Sequence, residues 1–141
     1  MSLTAKYNHA FDGNVALSAI NTATKGRIMA ISPVQTFGGA DIIDSVKPFS
    51  KTGVYIIGEL AGDAKAAGSG ALTIKLYSAD STNGTTALTE VDASFGPFTA
   101  ADINAGEFLR VALPEHCKGC IQLEYSGSNF SAGAVRIRVE A

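Results

Sequence analysis

The sequence predicts an all-β fold, a two-sheet β-sandwich of jelly-roll type with about eight strands and little or no helix. Three observations carry that expectation. Apolar and polar residues alternate with period two in several runs, the pattern of a strand with one buried and one wet face. The runs are separated by residues that favour turns, and each of the four prolines falls where a run stops. Nowhere is there support for a long helix.

Residues 1–14 read as an N-terminal arm and residues 15–141 as one sandwich domain. Residues 15–20 are a weak strand candidate, and residues 28–31 are apolar on both faces, as in a strand covered from two sides. A second weak candidate, residues 42–46, precedes another doubly apolar run at 54–57. The clearest alternation follows: Leu72, Ile74 and Leu76 on one face, Thr73, Lys75 and Tyr77 on the other. Residues 88–95 form a weaker strand candidate, and the Thr99-Ala100-Ala101-Asp102 run suits one short helical turn capped by Thr99. Alternation returns around Leu109, Val111 and Leu113. It recurs at Ile121, Leu123 and Tyr125 against Gln122 and Glu124, and at Val135, Ile137 and Val139 against Arg136, Arg138 and Glu140. Turn chemistry fills the gaps, including residues 62–70 and 126–133. The predicted interior set is Leu72, Ile74, Leu76, Ile121, Leu123, Val135, Ile137 and Val139.

Composition narrows the function. At 141 residues the chain is long enough for one core, and 46% apolar with 17% charged residues excludes the signature of disorder. Much of the surface must then be Ala, Gly, Ser and Thr. A formal net charge of −2 argues against a nucleic-acid partner, which calls for a basic face. No run reaches the roughly 20 apolar residues of a membrane helix, and MSLTAKYNHAFDG lacks the apolar core of a secretory signal, so synthesis in a bacterial cytoplasm is expected. Two cysteines are too few for a disulfide scaffold.

Candidate chemistry is sparse. His116-Cys117-Lys118-Gly119-Cys120 offers half of a zinc site, but the only other histidine is the distant His9, and the simpler reading is a tight turn between two small buried hydrophobes. A redox role for the pair needs a helix N-terminus, whereas a strand follows Cys120. Glu59, Glu90, Glu107, Glu115 and Glu124 are scattered, roughly one per strand or turn, and no nucleophile-elbow pattern is present. No enzyme, cofactor, metal or small-molecule substrate is expected. A glycan platform usually contains Trp, which the chain lacks; Tyr55, Tyr77 and Tyr125 are its possible substitutes. Aromatics outside the strands are more suggestive. Tyr7, His9 and Phe11 lie with Leu3 in the arm, and Phe37 and Phe130 lie in Gly-rich stretches. These six residues form the candidate partner-binding set, because aromatics are enriched at protein interfaces.

From the arm MSLTAKYNHAFDG through VYIIGELAG and ALTIKLYSAD to the closing AVRIRVEA, the whole chain resembles the capsid cement (decoration) proteins of tailed bacteriophages, of the kind carried by a Bordetella short-tailed phage. The resemblance is of the whole chain and rests on no diagnostic motif. It implies a jelly-roll domain, commonly dimeric, on the outer capsid surface of the virion, bridging neighbouring major capsid protein subunits. It transfers no catalytic or metal residue. The alternatives are a phage tail or receptor-binding sandwich that recognises a glycan and, third, a small jelly-roll enzyme. The doubly apolar run at 54–57 adds an expectation of its own: a symmetric homodimer that covers surplus hydrophobic surface.

Overall fold

A computed structural model describes residues 9–11, 13–30, 54–80 and 86–140. Among them are nine strand segments: β1 (Val15–Ala16), β2 (Thr24–Lys25), β3 (Met29–Ala30), β4 (Tyr55–Leu60), β5 (Ala67–Ala79), β6 (Val91–Thr99), β7 (Glu107–Ala112), β8 (Cys120–Ala132) and β9 (Ala134–Glu140). One short helix, α1 (Ala100–Asn104), joins β6 to β7, and a single 3₁₀ turn covers Leu17–Ala19. All pairings are antiparallel. One sheet runs β1-β9-β4-β7; the other runs β2-β8-β5-β6, with β3 also on β8. Because β2 and β3 pair successive stretches of β8, they act as one interrupted strand, and the fold is eight strands in two sheets.

The two sheets enclose one core. Ile56, Val135, Ile137 and Val139 from the first sheet meet Leu72, Ile74, Leu76, Ile121 and Leu123 from the second. The eight residues assigned to the interior by alternation are all at most 1% exposed. Period-two patterning is sufficient there, because a pleated strand sends successive side chains to opposite faces whatever it pairs with.

The Gly/Ser stretches behave differently. Residues 62–70 and 126–133 read as turns, but β5 begins at Ala67 within the first stretch and β8 continues through the second to Ala132. They pair with each other, with Ala71 opposite Ser128 and Leu72 opposite Gly127. The glycines permit the contact. A Cβ on Gly70 would lie 2.3 Å from the Ser128 carbonyl oxygen, and one on Gly127 would lie 2.1 Å from that of Ala71. At Gly133, φ is +115°, and this left-handed turn passes the chain from one sheet to the other.

Local signals account for α1. Thr99 Oγ1 accepts from the Asp102 N–H at 3.3 Å while Asp102 Oδ2 accepts from the Thr99 N–H at 2.9 Å, a complete capping box. Ile103 then buries fully between the sheets. Residues 15–20 supply only a two-residue strand before the 3₁₀ turn, which buries Leu17. In the 28–31 run the strand is Met29–Ala30, with Met29 fully buried. The 88–95 candidate is displaced: β6 starts at Val91 and runs through Pro97, which an edge strand accommodates because its outer N–H groups have no ladder partner. The 42–46 candidate lies outside the described residues.

The end of the arm belongs to the sandwich. The Ala10 N–H donates to the Ile137 carbonyl at 3.0 Å, and the Ala10 carbonyl accepts from the Arg27 N–H at 2.9 Å, so one residue joins β9 of one sheet to the β2–β3 connection of the other. Ala10 is fully buried and Phe11 is 7% exposed. The reading of residues 1–14 as a separate arm therefore does not hold for residues 9–11, whose backbone has partners on both sheets. Deleting residues 2–12 is expected to lower stability by about 3 kcal/mol or more, the scale of losing a buried aromatic; urea denaturation of the truncated chain checks it. Leu123→Ala is expected to cost about 2–5 kcal/mol by the same measurement.

Candidate functional site

The outer face of the β1-β9-β4-β7 sheet is the most organised polar surface. Tyr55, Ile57 and Glu59 alternate along β4 with Ile56, Gly58 and Leu60, which face the core. Register then sets Arg138 and Arg110 on either side of Ile57, and Arg136 beside Glu59. Glu59 accepts from Arg136 Nη1 at 2.9 Å and from Arg138 Nη2 at 3.1 Å, and the other Arg138 nitrogen bonds Glu140. On the edge strand β7, Arg110 grips Glu107 with two parallel bonds of 2.7 and 3.0 Å. Such paired guanidinium–carboxylate contacts hold long side chains in fixed places. Tyr55, 39% exposed, lies at the end of this array.

Ile57 is fully buried although it points away from the core, and Val54 and Ile56 are fully buried too. The homodimer expectation rested on uncovered apolar surface in residues 54–57. Tyr55 alone of that run remains exposed, so surplus hydrophobicity there gives no reason for pairing.

The outer face of the other sheet is partly covered by its own chain. Gln122, expected on a wet face, is 5% exposed: its Oε1 accepts from the Leu88 N–H at 2.9 Å and its Nε2 donates to the Gly26 carbonyl at 2.7 Å. Lys25 bonds the Leu88 carbonyl and lies over the Tyr77 ring, 4.1 Å from its centroid. Burial, with the hydrogen bond to Glu124 at 3.0 Å, raises the Tyr77 hydroxyl above its ordinary pKa. Asn104 shows the same economy at the end of α1. Its side chain donates to the Ala66 carbonyl at 2.9 Å and accepts from the Ala66 N–H at 2.7 Å, standing in for a strand neighbour. Nothing in the local sequence around Gln122 or Asn104 announces these roles, because each partner is at least 34 positions away.

Of the six candidate partner-binding residues, Leu3, Tyr7 and Phe37 lie outside the described residues. Phe11 and Phe130 are each 7% exposed and belong to the core cluster. Phe11 packs on Tyr125 with ring centroids 4.8 Å apart, and Phe130 is not in a loop but in β8, its ring against Gly70. Their apolar faces are spent inside the chain and leave little ring surface for a partner. His9 forms a bridge to Arg138 at the sheet margin. Beside it, a groove of about 580 Å³ is lined by Phe11, Asn14, Thr24, Lys25, Arg27 and Tyr125 among others.

The cysteine motif is dispersed. Cys117 and Cys120 are fully buried, whereas the His116 ring turns toward the Asp92 carbonyl, 3.4 Å away. Among the described residues no three His, Cys, Asp or Glu side chains converge as a metal site. Burial, reinforced by Asp80, pushes the Cys120 thiol up to about 11, which suppresses the thiolate that would attack or ligate. An aromatic disulfide reagent at about pH 8, below that raised value, should leave both cysteines unmodified in the folded chain and modify both after denaturation; absorbance of the released thiolate checks it.

A scan of the chain against protein-family models finds no match, and a search of curated proteins finds none either.

Proposed function

We propose that the chain is a structural virion protein of jelly-roll type that binds the outside of a phage capsid and bridges neighbouring major capsid protein subunits. The carrying observation is the outer face of the β1-β9-β4-β7 sheet. It sets three arginines, a tyrosine and three glutamates on a rigid ladder, and Arg and Tyr are the residues most often found at the energetic centre of protein interfaces. Its charges are already ion-paired within the chain, so an approaching subunit meets an ordered mosaic and loses little side-chain entropy on docking. The strand order supports the jelly-roll reading. With β2 and β3 taken as one strand, each sheet mixes early and late segments, as in a ribbon of hairpins wrapped around one core. Among the described residues, a pairing of two copies could draw on the exposed large hydrophobics Tyr55 and Val91 and on the charged margins.

The groove beside Phe11 and Tyr125 favours the second reading, a tail or receptor-binding sandwich that recognises a glycan, because it places aromatics next to Asn14, Thr24 and Arg27. Against it, Phe11 is almost wholly buried and already packs on Tyr125, which leaves little open ring face for a sugar.

The test is cosedimentation with shells assembled from a major capsid protein encoded beside this chain. Tyr55→Ala combined with Arg110→Ala should leave the melting temperature nearly unchanged, since both side chains are exposed. The same pair should weaken attachment by about 30-fold, the equivalent of about 2 kcal/mol. Absence of attachment by the unaltered chain, with retention on a glycan array, would replace this reading with the second.

A further inference from the structure

We propose that His9 is a pH-operated fastener: with a neutral ring, residues 9–11 close the seam between the two sheets, and a proton on the ring unfastens them.

Backbone bonds and one ring contact hold the seam among the described residues. The Ala10 bonds to Ile137 and Arg27 join the sheets, and Phe11 follows with its ring on Tyr125. His9 is the residue before them and pairs with Arg138. Its surroundings are cationic from two sides. Arg136 and Arg138 face it from β9 and Arg27 from the β2–β3 connection, each disfavouring a positive ring, while Glu59 on β4 is the carboxylate that favours one. Both Glu59 oxygens are already engaged, one by Arg136 and the other by Arg138.

Hydrogen bonding adds a second, independent cost. Nδ1 of His9 is buried and has no hydrogen-bond partner among the described residues. In a neutral ring that nitrogen can remain a lone-pair acceptor, and leaving it unpaired costs modestly. In an imidazolium both nitrogens carry protons, so Nδ1 becomes a buried donor with no acceptor, on a ring whose charge three guanidiniums oppose. Moving the segment into water satisfies the donor and separates the charges.

The sign follows from the direction of the shift. Burial first, then Arg136, Arg27 and Arg138, hold the His9 pKa below its ordinary value of 6.5. The unfastened segment, with an ordinary imidazole, therefore takes up a proton at higher pH than the fastened one. Fastening is fully favourable above the ordinary value and is lost as pH falls through it toward the depressed one.

The experiment is amide hydrogen exchange by NMR on the full chain at about pH 7.5 and about pH 5, corrected for intrinsic exchange rates. The Ala10 and Arg27 amides should lose about tenfold or more of their protection at the lower pH, while the Leu76 and Leu123 amides of the core keep theirs. His9→Gln, which cannot titrate, should keep the seam protected at both pH values. His9→Arg should expose it at both, and Arg136→Gln, which removes a cation that opposes the charged ring, should lessen the loss of protection at the lower pH. Equal loss of protection in His9→Gln, or protection in the unaltered chain that does not change with pH, would overturn the proposal. Simultaneous loss at Leu76 would overturn it too, because the event would then be global unfolding.

Discussion

The structure depends on the pairing of β5 with β8. These are the two longest strands, 13 residues each, and they lie side by side in register from Leu72/Gly127 to Ala79/Cys120. Their inner faces provide Leu72, Ile74, Leu76, Ile121 and Leu123, all fully buried, which form the floor on which the other sheet rests. β6 pairs with the free side of β5, and β2 and β3 with the free side of β8. The ladder is also non-local, since it joins residues about fifty positions apart; its loop-closure entropy must be met before most of the core can form. The close approach at Gly70 and Gly127 extends this ladder beyond the hydrophobic segment, and even a methyl group at either position would force the backbones apart.

Much of the polar inventory is consumed in holding this arrangement. Gln122 fastens the Leu88 segment and Gly26 to β8, Asn104 ties α1 to Ala66, and Asp102 is part of a helix cap. Gln122 and Asn104 satisfy backbone groups at buried or part-buried positions, where an unmade bond costs more than the bond itself contributes. The chain thus leaves its ordered surface charge mainly on one sheet face, where the arginines of β7 and β9 pair with Glu107, Glu59 and Glu140. Under the proposed role, this face would recognise a capsid subunit through shape and charge.

At the margin near His9 a short segment joins the two sheets, and Arg27, Arg136 and Arg138 bring positive charge to it. Three arginines around one histidine concentrate electrostatic sensitivity at a mechanical seam. Phe11 links that seam to the groove floor at Tyr125, so any rearrangement of residues 9–11 would alter the groove as well. Sheet face and seam meet at Arg136 and Arg138, which pair with Glu59 on one side and oppose charge on His9 on the other.

By itself the sequence determined which residues face inward along Leu72–Leu76, Ile121–Leu123 and Val135–Val139, and it determined the Thr99 cap, because alternation and capping are local properties of a chain. Only the tertiary structure decided the rest. Gly/Ser-rich stretches that read as turns became strand because each found the other as a partner, and backbone pairing overrode weak local preference. Phe11 and Phe130, placed by their loop-like surroundings at a partner surface, went inside because a distant Tyr125 and Gly70 shaped the space for their rings. Gln122 left the solvent face when Leu88 and Gly26 arrived above it. In each case the deciding neighbour lies dozens of positions away, and the free energy of burial depends on that neighbour rather than on the residues adjacent in sequence.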